Sequence, residues 1–189
     1  MPVCPKQVAG ARLSSMSDQD AFNLAFLAFR CAIGAVMIAH GYNHIFGGGK
    51  IKGTAGWFGS MGMRPPLVQA WLASITELVA GAALVAGFLT PLGAAGVIGT
   101  MTVAWIINHR GNGFFIFRPG EGWEYVMTLW FCGALLGVAG PGEWSLDHAF
   151  DLTDDLTGVT GLLLSVGAGG LGGLALLAAC WRPPQKTTT

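Results

Sequence analysis

Apolar residues run along the chain in five long stretches, at residues 22–46, 67–89, 92–107, 123–139 and 159–181, divided by segments rich in Gly, Pro and polar residues. The first 21 residues of the first stretch would rise about 31 Å as a helix, enough to cross the roughly 30 Å hydrocarbon layer of a bilayer. Pro65 and Pro66 stop any helix from running through the 47–66 connection. Thr90, Pro91 and Gly93 form a turn too short for anything but antiparallel neighbours. Asn112-Gly113 and Pro119-Gly120 are turn signals leading into the fourth stretch. The pattern predicts an all-α transmembrane helical bundle.

Composition agrees. Charged residues make up 11% of the chain and hydrophobic ones 52%, with mean hydropathy +0.56, whereas soluble domains are about a quarter charged. A net charge of zero removes any argument for a nucleic-acid partner or a polybasic lipid-binding surface. The lipid bilayer is the expected surrounding. Cys4, Cys31, Cys132 and Cys180 are widely spaced with no C-x-x-C, so they read as small apolar residues rather than a metal or dithiol centre. Residues 1–21 form a polar tail without the apolar core and cleavage ending of a secretory signal, so the first helix is expected to stay attached.

The chemistry lies in what interrupts the apolar pattern. The first stretch carries Arg30, His40 and His44. On a helix His44 lies about 40° and His40 about 80° round from Arg30, so the three share a face that must look at protein or water. Glu77 sits roughly ten residues inside the second stretch, where a carboxylate is costly unless paired or used. Arg30 is its expected partner, in either a structural or a functional pair. Asn108, His109 and Arg110 end the third stretch, and Glu124 opens the fourth, where it is expected to face His109.

Taking the side of the N-terminal tail as the near side, stretches one and three end on the far side and two and four begin there. His40, His44, His109 and Glu124 then gather at the far side, above Glu77 and Arg30. A polar pocket opening to that side is the expectation, with Glu77, His40, His44 and Arg30 as candidate catalytic groups and Trp57, Asn108, His109 and Glu124 as binding groups. Trp57, Phe58 and Met61 lie in the Gly-rich 47–66 connection, which reads as a lid over the mouth or as a short amphipathic anchor in the interface. GGGKIKGT lacks the spacing of a phosphate loop. Segment 140–158 carries five acids and no Lys or Arg and belongs outside the bilayer. Ser165, Gly169 and Gly173 form a small-residue row suited to packing within the chain or against a partner subunit.

RCAIG at 30–34, HGYNH at 40–44, GTAGWFGSMGM with its following prolines, Glu77 with Gly87 and Leu89, NHRGNGFF at 108–115, Glu124 and GPGEWSLD at 140–147 occur in an order and spacing that resembles the DoxX family of small bacterial membrane proteins. The resemblance covers residues 29–147. His44 stands about where the family usually has a Lys, and Pro91 where a basic residue is common. The resemblance implies a four-helix membrane core at 22–147, to which this chain adds an acidic loop and a fifth helix at 148–181 before a polar tail at 182–189.

It also implies a multi-pass protein of the bacterial cytoplasmic membrane, linked to thiosulfate:quinone oxidoreduction or to redox-associated membrane complexes, with a quinone as the candidate cofactor. Three function classes follow: a quinone-linked oxidoreductase or its membrane subunit, with electrons arriving from a partner; a non-catalytic scaffold or assembly subunit docking other subunits or a second copy through the fifth helix; and, third, a small-molecule transporter. Lys50, Lys52, Arg64, Arg110, Arg118, Arg182 and Lys186 on the far side outnumber Lys6 and Arg12 on the near side, which places the far side in the cytoplasm.

Overall fold

The computed structural model describes residues 16–184; the expectations that involve Cys4, Lys6, Arg12 and Lys186 lie outside the described residues. The regular elements are α1 (Asp18–Phe46), α2 (Lys50–Ser60), α3 (Pro66–Ala86), α4 (Thr90–His109), α5 (Glu124–Ala139), α6 (Leu146–Ala149) and α7 (Gly158–Cys180), with one 3-10 turn at Asp154–Leu156. Among the described residues there is no strand beyond an isolated bridge between Met63 and Trp181. Four helices, α1, α3, α4 and α7, are long and apolar enough to cross a membrane. The 16 residues of α5 reach about 24 Å and run antiparallel to α4. The all-α membrane bundle is the fold.

α1 starts four residues before the apolar stretch because Ser17 caps it, its Oγ accepting from the Asp20 N–H at 3.1 Å. α1 and α3 then meet almost backbone to backbone. A Cβ on Gly34 would come 2.7 Å from the Gly81 carbonyl oxygen, and one on Gly81 would come 2.6 Å from that of Gly34. Without a hydrophobic drive between helices in lipid, such close approach is what small residues supply. The Ser165, Gly169 and Gly173 row works the same way and is used inside the chain. A Cβ on Gly169 would lie 2.5 Å from the Ala95 carbonyl oxygen and one on Gly173 3.0 Å from that of Gly99, while Ser165 is buried against Gly137. The apolar core of Met37, Leu84, Val97 and Leu136 lies among α1, α3, α4 and α5.

At the near end Gly87 closes α3 in the left-handed region, φ 64°, with the Arg30 guanidinium where a side chain would stand. Arg30 is fully buried; its Nη1 donates to the Leu84 carbonyl at 3.3 Å and its Nη2 to that of Trp144 at 2.6 Å. The expected Arg30–Glu77 pair is therefore absent. The last carbonyls of a helix have no partner within it, and here Arg30 and the 140–147 segment satisfy them. Asp147, also fully buried, caps α4: it accepts from Leu89 N at 2.6 Å, from Thr90 N at 2.9 Å and from Thr90 Oγ1 at 2.8 Å.

At the far end α1 and α3 finish nearly level. Gly34 meets Gly81 and Gly41 packs on Ser74, so in this antiparallel register Phe46, the end of α1, is level with about Gln69, and α3 starts at Pro66 about 5 Å further out by helical rise. α2 packs along the first half of α3 and is tied to α1 by Thr54 Oγ1, which donates to the His44 carbonyl at 2.8 Å. The 47–66 connection read as a lid thus contains an 11-residue helix.

Candidate functional site

A cavity of about 590 Å³, within the size range of ligand pockets, lies beside α2. Its polar head is formed by His40 and His44 of α1, Glu77 of α3, Asn108 and His109 of α4, and Tyr125 of α5. Apart from Gln69, Thr76, Thr100 and Glu121 its remaining wall is apolar, and it runs down α4 to Ala95, about 18 Å from Ile107 by helical rise.

Glu77 is 3% exposed, and its Oε2 stands 3.0 Å from His44 Nδ1. The two atoms are close without hydrogen-bond alignment, and neither has a hydrogen-bond partner among the described residues. Buried polar atoms are rarely left in that state. α3 presents Glu77 to the cavity one turn after Ser74, whose hydroxyl is already bonded to the Ala70 carbonyl at 2.7 Å and offers it nothing. Phe58 closes the other side of His44, ring centroids 5.9 Å apart and edge-on.

His109 contrasts with His44. Its Nδ1 lies 2.9 Å from the Glu121 carbonyl, which can only accept, so Nδ1 carries the proton. Nε2 then accepts from Asn108 Nδ2 at 3.2 Å. Both ring nitrogens are engaged, Nδ1 holding the 111–122 hairpin to α4 and Nε2 bonded to Asn108 within α4. The last turn of α4, Trp105–His109, is π-helical, with Arg110 N bonded to the Trp105 carbonyl at 2.9 Å, and this wider turn sets Asn108 and His109 at the cavity.

The expected residues divide accordingly. Glu77, His40, His44, Trp57, Asn108 and His109 line one cavity. Trp57 is half-exposed at its edge, beside Phe58 at 5.3 Å between ring centroids. Glu124 is not part of the lining; Glu121 of the preceding turn meets His109 instead, because the hairpin folds back before α5 begins. Arg30, expected at the floor, is held at the near end, about 21 Å along α1 from His44.

Sequence reasoning passed over Tyr125. Tyr125 stacks on His40 with ring centroids 6.1 Å apart and its hydroxyl 3.4 Å from His40 Nε2. Its place one residue after Glu124, at the same end as both histidines, was the available signal. A second crevice of about 340 Å³ shares His40, His44 and Trp57 and opens among Gly47, Gly48 and Gly49, so the histidines stand between the apolar cavity and the far-end surface.

No curated protein and no solved structure matches the chain. The family model DoxX matches residues 25–110, which include Arg30, both histidines of α1, α2, Glu77 and the π-helical end of α4. Over that region the chain is similar to the DoxX family, which supports membership of it.

Proposed function

We propose that this membrane protein is the quinone-binding subunit of a redox complex in the bacterial cytoplasmic membrane. The observation that carries the reading is the unsatisfied His44–Glu77 pair at the polar head of a long apolar cavity. A quinone ring offers carbonyl oxygens to such a head and an apolar body to such a wall. Its reduction takes up two electrons and two protons to give the quinol. His44 and Glu77 are the groups placed to pass protons to the ring oxygens, with His40 and Tyr125 nearer the surface. The electrons come from a partner redox protein, since no flavin or dithiol motif is present in the sequence. Arg30 has no part in this step.

The far end faces the cytoplasm in this reading, since Lys50, Lys52, Arg64, Arg110, Arg118 and Arg182 are all at that end. A topology reporter fused after Thr189 that is active only outside the cytoplasm reverses the orientation.

The test is binding. Purified full-length protein in nanodiscs is titrated with a quinone while tryptophan fluorescence is followed, with Trp57→Phe identifying the Trp57 contribution. Saturable quenching is expected, weakened at least about tenfold in Glu77→Gln and His44→Ala at unchanged helical circular dichroism. If the protein does not quench saturably with any quinone but co-purifies with fixed membrane partners, the scaffold reading takes its place.

A further inference from the structure

The apolar part of the cavity has a shape that the head chemistry does not explain. α3 and α7 both pack on α4 rather than on each other, which leaves a slot between them with α4 as its floor. Leu72 and Thr76 border it on α3, and Gly172 and Leu176 on α7. Leu72 and Gly172 are both exposed, so the slot opens sideways toward lipid at the level where α3 and α7 cross the membrane.

Most glycines around this slot have a packing reason. Gly99, Gly169 and Gly173 let α4 and α7 touch, and a Cβ on Gly96 would come 2.6 Å from that of Ala80. Gly172 has none. A Cβ there would meet nothing within 4 Å, and the position lines the cavity. Gly167 and Gly170 on the same helix are as uncrowded, so what sets Gly172 apart is its place on the cavity wall, where the missing side chain leaves the slot open. The wall it belongs to lies outside the region that matches the family.

We infer that the site takes a chain-bearing quinone, whose ring is held at His44 and Glu77 and whose apolar chain lies in the α3–α4–α7 slot and leaves sideways into the bilayer past Leu72 and Gly172. The inference rests on the quinone reading of the head and adds the ligand's class and its route. Two features support it: the buried unpartnered Glu77 marks the polar end, and the slot continues from that end without a break, within one cavity. α7 thereby acquires a function beyond packing, as the wall that holds the chain.

The experiment compares a chain-free quinone, duroquinone, with decylubiquinone on the full-length protein in nanodiscs, using the tryptophan quenching described above. Gly172→Phe and the smaller Gly172→Leu add bulk on the slot wall at a position where a Cβ has room. Gly170→Phe adds the same bulk on α7 at a position that is also open but does not line the cavity. In wild type the decyl compound is expected to bind more tightly than duroquinone. That preference should fall at least about tenfold in the Gly172 variants and stay unchanged in Gly170→Phe. An unchanged preference in folded Gly172→Leu, or an equal loss in Gly170→Phe, overturns the slot assignment. Glu77→Gln separates the two readings: if it weakens both probes while the Gly172 variants do nothing, the slot alone fails, and if it weakens neither, the quinone head fails.

Discussion

α1 and α3 carry a buried charged cluster at each end, and the two clusters differ in whether their polar atoms are satisfied. At the near end Arg30 and Asp147 are both inaccessible to solvent. Asp147 accepts three hydrogen bonds at the start of α4, Arg30 donates to two carbonyls, and of that cluster only Arg30 Nε lacks a partner. At the far end Glu77 and His44 approach to 3.0 Å without alignment, against a cavity of about 590 Å³. Burial of a charge in a membrane protein is costly at either place. The near-end cost is offset by closing a helix and a turn, whereas the far-end pair is left with capacity for something else. Unsatisfied capacity facing a cavity, rather than buried charge as such, separates a site from a staple.

The comparison breaks most readily at Asp147. Asp147→Ala leaves the N–H groups of Leu89 and Thr90 without an acceptor and Arg30 without its nearby carboxylate, so a loss of about 3–5 kcal/mol is expected in reversible unfolding of the purified protein. Quinone affinity of the folded fraction should not change; a loss below about 1 kcal/mol would remove the staple from the argument.

Arg30→Met comes next, at about 2–4 kcal/mol, because two carbonyls lose their donor. Combined with Glu77→Gln its effect should be additive to within about 0.5 kcal/mol, since the two groups are held apart. Coupling well above that value would put them in contact after all.

Glu77→Gln alone should shift stability by no more than about 1 kcal/mol in either direction, as the carboxylate has no aligned hydrogen bond to lose, while ligand affinity collapses. Destabilisation as large as that of Asp147→Ala, with ligand affinity unchanged, would make the two ends equivalent. The smallest change is expected from Tyr125→Phe. Its hydroxyl stands at a long 3.4 Å from His40, so stability should move by under about 0.5 kcal/mol and quinone affinity by under about threefold. A tenfold loss in the same titration would promote Tyr125 to a direct ligand group.

Much of this was legible in the residues. Five apolar stretches gave five helices running between two ends, because backbone groups in lipid must be bonded within their own segment and length and hydropathy then suffice. The far-side gathering of His40, His44, Asn108 and His109 followed from alternating direction alone. The partner of Glu77 did not follow. Depth along each stretch does not single out the partner; the packing register does. With Gly34 against Gly81 and Gly41 against Ser74, Arg30 stands level with the end of α3, about 12 Å along the axis from Glu77, while the side chains of His44 and Glu77, each leaning toward the N-terminus of its own helix, converge.

The sequence by itself determined the fold class, the helix directions, the polar end and the small-residue rows, all of which are properties of single segments. Tertiary structure alone decided what each small residue touches and which buried charge is satisfied. The Ser165–Gly169–Gly173 row suited a partner subunit as well as a neighbouring helix until Ala95, Gly99 and Gly137 were seen to occupy it. Likewise Glu121 displaced Glu124 beside His109 through the path of one hairpin. Axial offset between helices and the course of a loop depend on contacts between residues far apart in the chain, and no periodicity within a segment encodes them.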